Sequence, residues 1–524
     1  MDSSLSFHKV DYLILLAYLV GTILLGLWIG RRVKTGSDYF LGGRRLPWWA
    51  IGMSLVATDI GGTDIIGVGG QAYTHGMAVG NFEWIGCVPA MIVAAFIFVP
   101  LFWRAGVVTI PEFLERRFNV GVRTALAICW LLFMACNLGI MLYASAKMMH
   151  GLFGWNLATC VLVTAMLVGI YTFAGGLAAV VYTDVVQCVI MIGGCLMVLI
   201  LGLVDLGGVD GLLAAVREAE AARSGAGAAA DLEHARLVLP VDTESPYPWT
   251  GVLFGLGLIL GPAYWIGNQA IVQRSLGARS EFEAKASYIW GALLKNLVPF
   301  IVAVPGLIAL AKFPELTDGD LAFPTLVSQL LPVGLRGLFL AAFLAALMSS
   351  VDSYLNSSAT VLTNDIYKRF LDPTMTDTRM LTVGRVVTVC FLVWGVGFAL
   401  VLSRIEGRGI YTIFQTLMAF FQGPALAVIL AGLLWRRANG VGALTGFLGG
   451  IACSVTLFTL NQEAVYTALG WPPLFRVAEP FLYFSVWAFL VAGALLISVS
   501  LLTAPEPEEK VRHLVYRRRK GGGA

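Results

Sequence analysis

Charge is scarce in this chain. Asp, Glu, Lys and Arg make up 13% of its 524 residues, about half of the roughly 25% usual in soluble domains. With 58% hydrophobic residues beside that shortage, a water-soluble globular protein is excluded. Histidine is rarer still: His8, His75, His150 and His234 fall at the ends of apolar runs or in loops, and His513 in the tail. No His/Cys metal spacing, nucleophile motif or nucleotide loop occurs, so the sequence offers an enzyme no site and implies no organic cofactor. All eight cysteines lie within apolar segments, which argues against an extracellular disulfide framework. The net charge of +3 carries little by itself. Nothing points to a nucleic-acid partner or an obligate protein partner.

What the chain has instead is length in its apolar runs. Thirteen candidate spans cover 9–32, 47–76, 79–104, 121–149, 155–175, 177–205, 247–276, 282–312, 327–365, 378–403, 407–435, 439–460 and 477–503. Most are long enough to cross a hydrocarbon core. The fold class is therefore all-α and polytopic, with the lipid bilayer as its surroundings. The first span ends in "GRRVK" with no small-residue cleavage site behind it, so it reads as a retained helix and not a signal peptide. Placing the amino terminus outside puts "RRVK", "LERRFN", "QRSLGARS", "YKRFLDP", "WRRANG" and the tail "VYRRRK" all inside, as the positive-inside rule requires. The acidic 206–246 loop and "FPELTDGD" then fall outside. The middle of that loop has the composition of a short helix.

Two spans are interrupted. The second reads "WAIGMSLVATDIGGTDIIGVGG", with Gly61 and Gly62 between Asp59 and Asp64; the seventh reads "GVLFGLGLILGPAYWIGNQ", with Gly261-Pro262 near its middle. Irregular backbone at membrane depth survives only where it lines protein or water, and a matched pair of interrupted spans points to a transporter's central site. The two are five spans apart, which fits two five-helix repeats, although no residue-level repeat is evident. Gly-mediated helix packing is the plainer explanation of each break alone. Ionisable residues Asp59, Asp64, Glu83, Asp184, Lys295 and Asp352 also lie within or near apolar sequence; such groups mark ion or substrate pathways by default. A buried Lys–carboxylate pair that merely locks two helices is the alternative for Lys295.

The ninth span carries "LAALMSSVDSYLNSSATVL", five serines with an aspartate and an asparagine in apolar sequence. Helical spacing lays Ala346, Ser349, Asp352 or Ser353, Asn356 and Thr360 along one face. A hard cation wants several oxygen ligands, and an unwound helix supplies free carbonyls opposite such hydroxyls. Serines that only pack helices together would look the same, and Ser357 and Ser358 fit that role.

Seven stretches carry a resemblance: "PWWAIGMSLVATDIGGTDIIG", "FEWIG", "TIPEFLERRFN", "GGLAAVVYTDVVQ", "YWIGNQAIVQRSL", "LMSSVDSYLNSSATVLTNDIYKRF" and "GPALAVILAGLLWRRAN". From about residue 10 to 460 the chain resembles the sodium:solute symporter family, most of all its sodium/glucose cotransporter branch. The resemblance implies a LeuT-type core of two inverted five-helix repeats, an extra amino-terminal helix, and alternating access driven by sodium. It divides the chain into 1–46 (extra helix and cytoplasmic loop), 47–205 (first repeat), 206–246 (extracellular loop), 247–435 (second repeat), 436–503 (carboxyl-terminal helices) and 504–524 (basic tail). It implies a sodium site on the carbonyls of Ala57, Ile60 and Ala346 with the hydroxyls of Ser349 and Ser350. A second cation site would use Asp184, Ser349, Asp352 and Ser353, where Asp352 either strengthens sodium binding or, protonated, couples a proton. For substrate it implies Glu83, Lys295 and Gln415 as hydrogen-bonding groups and Tyr264 and Trp265 as gate or stacking pair.

The departures bear on the substrate. Asp59 and Asp64 stand where sugar transporters carry Asn and a Gln or His; Gly86 replaces a serine and Gly261 an asparagine, and Phe82 stands for a tyrosine. Such a pocket holds less amide and more carboxylate. The expected function is sodium-coupled import of a small polar solute, a monosaccharide or polyol first, with an amino acid, carboxylate or cationic solute as the alternative. A sensor would need a signalling domain beyond residue 503, and a channel a continuous polar stripe through several spans; neither is present in the sequence.

Overall fold

Polar caps start several of the helices. The structure is a computed structural model that describes residues 8–224, 232–404, 409–477 and 479–515. The "RRRK" of the tail and the middle of the 206–246 loop lie outside the described residues. The main helices are α1 (Lys9–Gly30), α2 (Trp48–Asp59), α3 (Gly62–His75), α4 (Met77–Ala105), α5 (Val120–Phe153) and α6 (Leu157–Asp205). They continue as α7 (Gly208–Ser224), α8 (Gly251–Gly267), α9 (Gln269–Leu276), α10 (Glu281–Lys312) and α11 (Leu335–Leu371). The last four are α12 (Asp377–Leu402), α13 (Ile410–Leu434), α14 (Gly440–Leu460) and α15 (Phe481–Leu502). Asn119 caps α5 by accepting from the Val122 N–H at 3.0 Å, and Ser280 caps α10 by accepting from Glu283 at 3.2 Å. Each cap takes up a donor that the first helical turn leaves unpaired.

Among the described residues, ten helices are long and apolar enough to cross a membrane, or up to twelve if each of two bent pairs is one span. The bent pairs are α2 with α3, at 55°, and α8 with α9, at 50°. The fifth expected span is a shorter apolar helix, Leu157–Gly169, which α6 carries on to a bend at Gly176, where φ is 59°. α7 is a helix in the first half of the 206–246 loop.

The break in the second span falls where the glycines put it, between Asp59 and Gly62. The break in the seventh does not fall at Gly261-Pro262. It falls at Asn268, whose side chain accepts from the Ala270 N–H at 2.9 Å and so starts α9. Pro262 is tolerated because the turns before it, Gly251–Leu260, are wound as π-helix. A proline removes one N–H and crowds the carbonyl four residues back; a wider π-turn relieves both. The same arrangement recurs at Pro89, Pro100 and Pro305, each just after a π-helical stretch.

Helices in lipid gain little from hiding apolar surface, so close packing and polar contacts hold the bundle. α11 is its axis: 94% of its most apolar window is buried, against 17% for α1 and 28% for both α12 and α15. α11 packs on α2, α5, α6 and α9, and α10 packs on α2. One end of the bundle is tied by Arg123, which bonds Asp365 at 2.8 Å and Glu115 at 2.5 Å, and by Arg369 on Glu115. At the other end Lys147 bridges Asp318 at 2.8 Å and Asp320 at 3.0 Å.

Candidate functional site

The break between α2 and α3 creates the first cluster. In an unbroken helix the Gly61 N–H would close a turn on the Ala57 carbonyl. Here it donates to Asp64 Oδ2 at 2.9 Å and to the Asp59 carbonyl at 3.1 Å. The Ala57 carbonyl is met instead by the Ser349 hydroxyl of α11 at 2.6 Å, and the Thr58 carbonyl by the Ser350 hydroxyl at 2.8 Å. Both hydroxyls also lie within bonding distance of the Ala346 carbonyl, at 2.9 and 3.2 Å. A Cβ at Gly61 would lie 2.6 Å from Ser350 Oγ, so a larger residue there would displace that hydroxyl. Ile60, with ψ of 81°, carries the chain out of the helix at this point. Ala57, Ala346, Ser349 and Ser350 are thus brought together, with Ile60 at the break beside them. Their hydroxyl and carbonyl oxygens are hard, uncharged donors, a set that suits a monovalent hard cation better than a divalent one.

A cavity adjoins this break. Asp59, Asp64, Glu83, Tyr264, Trp265 and Gln415 all line it. The seventh residue expected there, Lys295, does not. It is completely buried behind the wall, ion-paired with Asp59 and, at 2.6 Å, with Glu83. Asp59, Glu83 and Cys87 offer ligand atoms close enough together to hold a metal, but the Lys295 ammonium already supplies their cation. Sequence reasoning did not place Tyr411, Phe414, Met418 or Gln422 on the wall; α13 contributes all four, and only its packing against α8 reveals it. Gly261 and Gly86, noted as departures, touch here: a Cβ on Gly261 would be 2.0 Å from the Gly86 carbonyl oxygen.

On the cavity wall the Phe82 ring meets Tyr411 at 5.3 Å, and it also meets Tyr247 at 5.8 Å and Phe481 at 6.4 Å between centroids. Tyr247 is fixed by donating to Gln71 Oε1 at 2.6 Å. Beyond this aromatic layer lies a polar pocket lined by Gln71, His75, Lys147, Asp318 and Asp320 among others. Asp320 accepts from the Ile410 N–H at 3.1 Å, joining the loop to α13. Burial pushes its carboxyl above the usual range, with Lys147 opposing.

The four residues expected at a second cation site are split. Ser349 belongs to the first cluster. Asp184 and Ser353 do approach one another, but a protein cation joins them: Arg274 of α9, itself 1% exposed. Its guanidinium reaches Ser54 at 2.6 Å and Asp184 at 3.4 Å, and also bonds Thr58, Ser353 and the Ala270 carbonyl. Asp184 accepts from Ser54 at 2.5 Å, and Asp352 from Ser353 at 3.3 Å. Arg274 was expected among the inside loop charges; because the seventh span breaks at Asn268, it instead lies within a helix buried along its whole length.

Comparison with known proteins bears on this arrangement. The sodium:solute symporter family matches residues 39–450. The human sodium/glucose cotransporter 4 is 33% identical over 98% of this chain and 79% of its own length. The sodium/glucose cotransporter of Vibrio parahaemolyticus is 35% identical over 87% of this chain and 86% of its own. The human sodium/myo-inositol cotransporter 2 is 30% identical over 97% and 78%. Among solved structures, a Na+-coupled sialic acid symporter in a substrate-bound outward-open state aligns with a TM-score of 0.79 at 22% identity, over 95% of this chain and 99% of that one. That likeness gives the fold, the LeuT type.

Proposed function

Because the chain belongs to the sodium:solute symporter family, we propose that it is a sodium-coupled symporter importing a small polar solute, a monosaccharide or polyol, by alternating access. It acts as a multi-pass membrane transporter, not an enzyme. One observation carries the coupling. The break that frees the Ala57 carbonyl for Ser349 also places Asp59 and Asp64 on the solute cavity. Sodium, as the co-transported ion, would be held by the carbonyls of Ala57, Ile60 and Ala346 and the hydroxyls of Ser349 and Ser350. Holding it fixes the non-helical turn at Ile60 and Gly61, which the two aspartates flank. The ion therefore raises solute affinity only in the state that has this turn assembled, which is the differential affinity that coupling requires.

The solute groups follow from the wall. Glu83 and Asp64 accept from hydroxyls, Gln415 both donates and accepts, and Tyr264 and Trp265 cover the C–H surface. Lys295 acts from behind by holding Asp59 and Glu83 in place. The Phe82, Tyr247, Tyr411 and Phe481 layer closes the side that the loop charges assign to the outside. The repeats are 47–205 and 247–435, with the amino terminus outside and the carboxyl terminus in the cytoplasm. Uptake of labelled D-glucose into proteoliposomes tests the reading: it requires an inward sodium gradient, and Ser350→Ala raises the sodium concentration needed for half-maximal uptake. Gradient-independent uptake would remove the mechanism.

A further inference from the structure

The charges at the cavity are not balanced, and their arrangement is directional. Asp59, Asp64 and Glu83 line it, and among the described lining residues there is no Lys, Arg or His. The one cation bound to them, Lys295, lies behind: its side chain is 0% exposed, while Asp59 keeps 13% and Glu83 12%. The solute therefore meets carboxylate and never ammonium. Three carboxyl groups face one ammonium, so the protein itself supplies too few cations to pair with them all. A sodium ion at the adjoining break offsets one. The amino-terminal dipole of α3 favours Asp64, which accepts the Gly61 N–H at 2.9 Å, but it supplies only about half a charge.

A neutral hexose would complete such a site poorly. Its hydroxyls can donate to carboxylates, but a carboxyl left without a counter-charge must then take up a proton, because an unpaired buried carboxylate is costly; an ammonium on the solute pairs with it in its ionised form. The rest of the wall points the same way. Phe82, Tyr264, Trp265, Tyr411 and Phe414 line the same cavity as the carboxylates, and aromatic faces attract ammonium groups, more strongly when water is excluded. Carboxylate and aromatic surface together form a receptor for an organic cation, while Gln415 and Gln422 remain for hydroxyls.

We propose that the preferred solute is a sugar or polyol bearing a protonated amine, with the ammonium among Asp59, Asp64 and Glu83 and the hydroxyls toward α13. This rests on the reading of the chain as a sodium-coupled sugar or polyol symporter and narrows its substrate class. Asp64 is the specificity-determining residue, because it is the carboxylate of the three for which no lysine partner is seen.

The test uses the full chain in proteoliposomes with an inward sodium gradient. Uptake of labelled D-glucosamine, D-glucose and N-acetyl-D-glucosamine is measured side by side, the last keeping the ring substitution while losing the charge. The expected result is a kcat/KM for glucosamine about tenfold or more above either neutral sugar, the value of one charge-assisted contact. Asp64→Asn should shrink that ratio severalfold while some sodium-driven uptake persists. Equal uptake, or preference for glucose, overturns the amine assignment and leaves sodium-driven sugar import standing. Sodium-driven uptake of none of the three overturns both. The wild-type ratio decides the question even if Asp64→Asn fails to fold.

Discussion

Lys295 and Arg274 are both buried cations set against carboxylates, and the two surroundings could hardly differ more. Lys295 meets two carboxylates that keep a face on a cavity. Arg274 meets one, Asp184, and spreads its other N–H groups over Ser54, Thr58, Ser353 and the Ala270 carbonyl. An ammonium is a compact charge and is held by anions; a guanidinium is a planar fork that several neutral oxygens can satisfy at once. The first environment leaves carboxylates on a cavity wall. The second is closed on itself and ties α9 to α2, α6 and α11. A buried charge thus marks a binding site only when its counter-charges have somewhere else to face.

Three substitutions probe this contrast. Lys295→Met, the largest in effect, strands Asp59 and Glu83 and should cost about 3–5 kcal/mol, the usual penalty for breaking a buried pair. Thermal unfolding in detergent should show the loss, and uptake should vanish; an unchanged midpoint would mean that the lysine is not holding the carboxylates. Arg274→Lys keeps the charge but loses the fork. A loss of about 1–3 kcal/mol is expected from the unsatisfied hydroxyls, and wild-type stability would show that charge alone suffices there. Glu281→Gln, last, removes the partner of Arg104, whose side chain is 54% exposed. A loss of less than about 1 kcal/mol is expected, with uptake unchanged, because water screens such pairs.

Much of this site could be read from residue types. Gly61-Gly62 between two aspartates announced the α2–α3 break, and the oxygen-rich face of α11 announced what opposes it, because both depend on local spacing. Gly261-Pro262 misled for a physical reason: the π-helical turns before Pro262 absorb it, and the bend moves to Asn268. That displacement also hid Arg274, since a charge after a supposed break reads as a loop charge. The aromatic layer was invisible because Phe82, Tyr247, Tyr411 and Phe481 are far apart in the chain and meet only in the folded bundle.

The π-wound segment Gly251–Leu260 makes the site sensitive to chain length as well as to chemistry. Such turns hold more residues per turn than the α-helix around them. Losing a single residue there without a compensating change in winding would rotate the remainder of α8 by up to about 100°. Tyr264 and Trp265 would swing off the cavity wall without any change in their identity. Insertions and deletions in this stretch are therefore a route by which relatives could acquire a different solute while keeping every ligand residue intact.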